Sequence, residues 1–312
     1  VNTHNIFLTG GTGFIGKAVL ARLQKEDAEV VAAVRTQNYS WPPEVQTLII
    51  DDIVNLPNAL ENISNVDTVI HIAAKAHVAG VSLNEFRRVN TDATLNLAKI
   101  AAANGVKRFI FLSSIGVNGI SNTKPFNVDD KPAPVEDYAI SKLEAEDGLK
   151  QIASESGLEV VIIRPPLVYG AHAPGNFGKL ARLAQKNLPL PLGAIHNKRS
   201  LVALDNLVDL IVTCIDHPKA ANQTFLVSDD MDVSTTELLR TMRIAVDKAT
   251  KLVPVPMHWL KLIAKLIGKQ AMLERLCGNL QVDISHTKNT LNWKPPISFA
   301  EGIKRCFRKD SK

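Results

Sequence analysis

The segment FLTGGTGFIGKAVLARL, residues 7–23, restricts the fold more than any other part of the chain. An apolar run enters a glycine cluster and leaves it in a helical pattern. Gly11, Gly13 and Gly16 have Gly-x-Gly-x-x-Gly spacing, and Gly10, Gly13 and Gly16 also satisfy the wider Gly-x-x-Gly-x-x-Gly spacing. Glycine permits a tight turn, lets a pyrophosphate approach the backbone and allows the helix to pack closely on its strand. The free N–H groups and positive dipole at the helix N-terminus then favour phosphate. A glycine motif alone is weak evidence; a strand before it and a helix after it supply the required context. Gly10, Gly11, Thr12, Gly13, Phe14, Ile15 and Gly16 are therefore expected to cradle the pyrophosphate of a dinucleotide.

The rest of the first half has the matching rhythm. NIFLT, EVVAAV, QTLII, DTVIHIAA, RFIFLSS and EVVIIRP are continuous apolar runs, as strands buried on both faces should be. Between them lie helical patterns such as TDATLNLAKIAAANG, rich in alanine and closed by a glycine. This alternation predicts an α/β fold, a doubly wound parallel sheet of the Rossmann type. After RPPLVYG, prolines and glycines crowd residues 165–193; RSLVALDNLVDLIVTCI then reads as an extended segment leading into a helix, and QTFLVSD as a further strand. Residues 1–170 are expected to form the dinucleotide-binding domain, with 200–228 returning to it. Residues 171–199 and 229–312 would form a smaller, mostly helical substrate domain.

With 312 residues, 46% hydrophobic and 21% charged, the chain is able to bury a large core. The net charge of +5 comes from dispersed basic residues, which gives no case for nucleic acid and weakly favours small anionic ligands. Cys214, Cys277 and Cys306 are far apart and read as reduced thiols, and VNTHNIFLTGG lacks the basic start and apolar length of an export signal. Both features predict a cytoplasmic protein. No stretch reaches the roughly 18 to 20 apolar residues of a transmembrane helix. In WLKLIAKLIGK, Lys261, Lys265 and Lys269 recur every fourth residue among leucines and isoleucines. The expectation is a core-facing helix with a solvated lysine face, contact with an anionic membrane surface being the alternative. His71, His77, His172, His196, His217, His258 and His286 show neither helical pairing nor a cysteine partner, so no metal site is expected.

An acidic residue about twenty positions beyond the loop would mark NAD. The second strand instead ends in AAVRT, placing Arg35 where a guanidinium fork can pair with the 2′-phosphate of NADP; a solvated strand end or a contact with adenine are the alternatives. NADP is accordingly the preferred cofactor and NAD the other candidate. Asp52 and Ile53, at the end of the third strand, are placed to meet adenine.

Ser113 and Ser114 close the fifth strand at the edge where such sheets bind ligands, and Tyr138 and Lys142 follow on one face of a helix. Lysine four residues after tyrosine is common on surfaces; its company here gives it chemical meaning. A phenol, with an ordinary pKa of about 10, lowered by an ammonium and a nicotinamide cation, can exchange a proton with an alcohol or ketone while hydride moves. Ser114 would hold the substrate oxygen. His77, after the fourth strand, is a candidate for the sugar pocket or a solvated loop residue.

With HIAA, VNTDATLNL, SSIGVNG, YAISK, RPPLVYG, RSLVALDNLVD and DISHTKNTLNWKPP, nearly the whole chain resembles the extended short-chain dehydrogenase/reductases of the NAD-dependent epimerase/dehydratase family. The resemblance implies that Ser114, Tyr138 and Lys142 are catalytic and that Ala73, Ala74, Asn90 and Pro165 line the cofactor, with Asn90 also supporting the active-site helix. It further implies that Arg199 contacts the diphosphate of a UDP-sugar with Arg275 as a second phosphate contact, and that the protein is a homodimer; Asn176, like His77, is a candidate for the substrate pocket. Three departures narrow the reaction. Ile115 and Gly116 stand where the dehydratases carry Asp-Glu, so elimination of water lacks its acid and base. Pro165, Pro166 and Leu167 replace a segment whose asparagine contacts substrate phosphate, and Asn118 replaces a tyrosine.

The subgroup most resembled is UDP-glucose 4-epimerase-like and includes the 4-ketoreductases that form UDP-N-acetylquinovosamine for O-antigen and lipopolysaccharide synthesis. That likeness implies NADPH-dependent reduction of UDP-2-acetamido-2,6-dideoxy-4-hexulose. A UDP-glucose or UDP-N-acetylglucosamine 4-epimerase retaining NAD is the alternative. A dinucleotide-binding sensor without turnover is the remaining class, and the intact Ser114, Tyr138 and Lys142 set argues against it.

Overall fold

Strands that are apolar on both faces need cover on both, and the chain provides it. The computed structural model describes residues 4–26, 28–36, 41, 45–50, 52–55, 65–76, 80–186 and 188–308. Strands β1 (Asn5–Thr9), β2 (Glu29–Val34), β3 (Val45–Ile49), β4 (Thr68–His71), β5 (Arg108–Leu112), β6 (Glu159–Arg164) and β9 (Gln223–Leu226) form a 7-stranded sheet in the order β3-β2-β1-β4-β5-β6-β9. Every pairing in it is parallel. The order reverses at β1, and the β1–β4 crevice is the ligand position such a reversal creates.

Successive strand side chains divide between two cores. Ile6, Leu8, Ile110 and Leu112 point to the side covered by α1 (Phe14–Leu23) and α6 (Leu204–Asp216). Phe7, Val69, Phe109 and Phe111 point to the other, covered by α3 (Ala93–Ala103) and α4 (Asp137–Ser156). Each fully buried side chain of this size contributes about 2 kcal/mol. The α3 helix is preceded by α2 (Leu83–Phe86) and a six-residue π turn, Arg87–Asp92, on which Asn90 and Thr91 are buried.

A second sheet, 3-stranded, joins β7 (Leu167–Tyr169), β8 (Arg199–Ala203) and β10 (Asp232–Val233) in the order β10-β8-β7. Its core includes Phe177 and Leu180 of α5 (Gly175–Gln185), Leu239 and Met242 of α7 (Thr235–Ala245), and Phe299 and Ile303 of α11 (Phe299–Cys306). The helix α6 and strand β9 return to the large sheet, while β7 and β8 pair with each other outside it. Asp229 pins the lobes together. It accepts from the Tyr169 hydroxyl at 2.6 Å, from the Ala203 backbone N–H at 2.8 Å and from Asn206 Nδ2 at 2.7 Å.

The helices α8 (Met257–Leu266), α9 (Gln270–Cys277) and α10 (Ser285–Leu291) complete the chain order before α11. The expected inward apolar face of α8 is realised only by Leu260 and Ala264; Trp259, Leu262, Ile263 and Leu266 are exposed. Most of the large apolar side chains of this helix therefore lie outside the core. No helix among the described residues is long and apolar enough to cross a membrane.

Candidate active site

The glycine loop turns as its sequence requires. Gly10 has φ +76, and a Cβ there would stand 2.7 Å from the Ala73 backbone nitrogen. A Cβ on Gly16 would lie 2.1 Å from the Gly10 carbonyl oxygen. The Gly13 N–H closes the turn on that same carbonyl at 2.9 Å. Gly13 then begins α1 without a side-chain cap, and Thr12, Phe14 and Ile15 are half-buried around it. Helix N-termini need an acceptor for their first N–H groups, and a pyrophosphate is a chemically matched one. The residues present fit a dinucleotide.

Around the loop, Arg35 is exposed immediately beyond β2. Asp52 accepts from Arg88 Nη2 at 3.1 Å and from the Val54 N–H at 3.3 Å, with half-buried Ile53 opening a single turn beside it. The Ala73 N–H donates to Thr9 Oγ1 at 3.2 Å, and Ala74 is exposed. His77 lies outside the described residues.

Asn90 is fully buried and joins two parts of the site. Its Oδ1 accepts from the Lys75 N–H at 2.8 Å, and its Nδ2 donates to the Lys75 carbonyl at 3.0 Å and to Ser141 Oγ at 3.1 Å. Ser141 Oγ in turn donates to the Tyr138 carbonyl at 2.8 Å. The loop after β4 and the first turn of α4 are thus fixed to one side chain.

Ser114 follows β5, and its Oγ accepts from the Gly116 N–H at 3.1 Å. A Cβ on Gly116 would meet both Ser114 Oγ and Ala139 Cβ at 3.3 Å, so the serine turn rests on the residue next to Tyr138. The Tyr138 ring meets Phe86 edge-on, with centroids 6.2 Å apart. Burial pushes its phenol up to about 12 in the protein alone, and the expected lowering is assigned to an ammonium and a nicotinamide cation together. The fully buried Lys142 Nζ donates to the Leu112 carbonyl at 2.8 Å and sits 4.2 Å from the Phe111 ring centroid. Burial pushes Lys142 down to about 7, against the opposing pull of the Glu146 carboxylate. His71, sandwiched between Thr9 Oγ1 at 2.8 Å and Thr94 Oγ1 at 2.9 Å, is held down to about 3 by burial and by Lys142; it is a neutral structural group.

Beneath this layer lies a network that the sequence reading did not single out. Arg164 and Glu146 form a fully buried ion pair, Nη2 to Oε2 2.5 Å and Nε to Oε1 2.9 Å. Ser113 donates to the same carboxylate at 2.5 Å, and Arg164 Nη1 donates to Asn118 Oδ1 at 2.9 Å. Ser113 is thereby committed to the scaffold and Ser114 is left to the cleft. The available signal was the four-residue step from Lys142 to Glu146 on one helix face. Breaking such a pair strands a buried charge, at a cost of about 3 to 5 kcal/mol.

Arg199 Nη1 donates to the carbonyls of Arg275 at 2.8 Å and Gly278 at 3.1 Å, and burial lowers its pKa. The Arg275 guanidinium pairs with Glu136 at the start of α4. Asn176 is exposed in the first turn of α5, whereas Pro165 is buried and its carbonyl accepts from the Ile115 N–H at 3.0 Å. Arg199 and Arg275 therefore belong to one wall, and Asn176 stands apart in sequence on the first turn of α5.

Fold and site together define a class, the nicotinamide-dependent enzymes of the short-chain dehydrogenase/reductase type. The chain belongs to the NAD dependent epimerase/dehydratase family, whose sequence model matches residues 6–228. It is 50% identical, over 96% of this chain and 94% of that protein, to a UDP-glucose 4-epimerase of Vibrio cholerae. A 24% identical relative, covering 97% of this chain and 94% of its own, is the N-acetyl-alpha-D-glucosaminyl-diphospho-ditrans,octacis-undecaprenol 4-epimerase of Escherichia coli O157:H7. Among solved structures, the UDP-glucose 4-epimerase of Thermotoga maritima with UDP-glucose superposes with TM-score 0.79, at 22% identity and 97% coverage of both chains. The Bordetella bronchiseptica enzyme WbmG in complex with NAD gives TM-score 0.78 at 20% identity, covering 97% of this chain and 93% of that one.

Proposed function

We propose that this protein interconverts the C4 epimers of a UDP-hexose. The observation that carries the reading is the 50% identity to the Vibrio cholerae UDP-glucose 4-epimerase across nearly the full length of both chains. Gly10–Gly16 would hold the pyrophosphate of NAD, with Asp52, Ile53, Ala73, Ala74, Asn90 and Pro165 around the remainder. When bound, the nicotinamide supplies the reversible hydride exchange at C4. Tyr138 takes the proton of the 4-hydroxyl and returns it, Ser114 hydrogen-bonds that oxygen, and Lys142 stabilises the phenolate. A positive charge near the phenol opposes the upward push of burial on Tyr138 and brings it toward working pH. Arg199 and Arg275 face the diphosphate of the substrate, where guanidinium forks suit phosphate oxygens.

A second reading, the NADPH-dependent 4-ketoreductase, is favoured by one observation: Arg35, exposed just beyond β2, suits a 2′-phosphate. The two readings are separated by incubating the protein with UDP-glucose or UDP-N-acetylglucosamine without added cofactor and following the sugar by NMR. C4 epimers without added cofactor are the expected result. No epimer, together with NADPH oxidation on a 4-keto-6-deoxy UDP-sugar, transfers the assignment to the reductase. In either case Tyr138→Phe lowers turnover on the order of a hundredfold or more, the usual scale for losing a positioned acid–base group.

A further inference from the structure

The outward face of α8 has no use in the chemistry above. At 3.6 residues per turn, Trp259, Leu262, Ile263 and Leu266 share an arc opposite the buried Leu260 and Ala264. They are exposed by 53%, 48%, 50% and 79%, and Ile267, just after α8, and Met272, in the first turn of α9, by 60% and 59%. Lys261 and Lys265 flank this arc and Lys269 follows it, all exposed. From Lys248 to Leu273 the sequence has five lysines and no aspartate or glutamate. An apolar surface intended for another protein carries no requirement for one sign of charge throughout its rim. Apolar side chains around a tryptophan, with lysine stems able to lift their ammonium groups away from them, match the layered chemistry of a bilayer surface.

We propose that α8 and the start of α9 dock this protein on an anionic lipid bilayer, lying in the interface with Trp259, Leu262, Ile263, Leu266 and Ile267 inserted and the lysines among the headgroups. The inference is independent of whether the enzyme is an epimerase or a reductase. It has a consequence for the cleft, because α9 packs on α8 and carries Arg275, which pairs with Glu136 two residues before Tyr138.

The test uses the full chain with vesicles of phosphatidylcholine alone and of phosphatidylcholine with about 30% phosphatidylglycerol, read by co-sedimentation and by Trp259 emission, with Trp259→Phe as the blank. Binding and a blue shift are expected on the anionic vesicles only. K261Q/K265Q/K269Q should weaken partition on the order of a hundredfold, and Leu266→Gln/Ile267→Gln should abolish insertion. Both variants change exposed side chains, and unchanged circular dichroism and turnover verify that they fold. Absence of binding to anionic vesicles, or equal binding by the two variants and the parent, overturns the proposal. So does a parent dimer that Leu266→Gln/Ile267→Gln converts to monomer, since the face would then belong to a second copy.

Discussion

Replacing Lys142 by methionine should make this protein more stable and inactive at once, with a pH signature that identifies the cause. The ammonium is fully buried, and burial brings it from 10.5 to about 7 despite the nearby Glu146 carboxylate. In the unfolded chain the lysine keeps its proton up to about 10.5; in the folded protein it loses it above about 7. Between those values the unfolded state binds more protons at this group, so the contribution of Lys142 to the parent's stability rises with pH, by about 1.4 kcal/mol per unit. Below about 7 the whole cost of burying the charge is present, roughly 5 kcal/mol for the fall from 10.5 to about 7. Methionine of similar length does not titrate. The advantage of Lys142→Met is therefore largest near about pH 6 and shrinks by roughly 3 kcal/mol on going to about pH 9.5. Urea unfolding of both proteins across that range, followed by circular dichroism, measures the difference directly. A difference that stays flat with pH would refute the reasoning.

Other substitutions test the scaffold. Gly16→Ala places a methyl 2.1 Å from the Gly10 carbonyl and should open the phosphate loop; dinucleotide titration is expected to weaken at least tenfold and stability to fall by about 1 to 3 kcal/mol. Asn90→Ala removes the bonds to Lys75 and Ser141, so turnover should fall along with a stability loss of about 1 to 3 kcal/mol, measured by steady-state kinetics and urea titration. Tyr169→Phe deprives the Asp229 carboxylate of a donor at 2.6 Å; thermal unfolding should move down by a few degrees, about 1 to 3 kcal/mol, while the cleft chemistry is retained.

What the sequence made legible follows from how local each signal is. NIFLT, EVVAAV and RFIFL coincide with β1, β2 and β5 because a strand buried on both faces leaves an uninterrupted apolar run. Gly10 and Gly16 are legible because only glycine survives at their packing distances. The relation of Ser113 to Glu146 and Arg164 was not legible, since it joins the ends of two strands to a helix far away in sequence. Adjacent serines just after β5 look alike until one of them is seen bonded to a buried carboxylate. The same limit applied to α8, whose periodic leucines and lysines favour a core-facing helix; only the exposure of Trp259 and Leu266 shows that most of its large apolar side chains lie outside the core. Nor does any local pattern report that the Lys142 ammonium donates to the Leu112 carbonyl thirty residues before it.

The π turn at Arg87–Asp92 resolves a phase conflict between two halves of one helical run. Phe86, before it, must meet the Tyr138 ring, while Leu97, Ala98 and Ala101, after it, must fill the space under the sheet. A widened turn takes up additional chain and so rotates the second half relative to the first. The irregularity acts as an angular offset, letting one continuous rod satisfy the catalytic helix and the hydrophobic floor without a break between them.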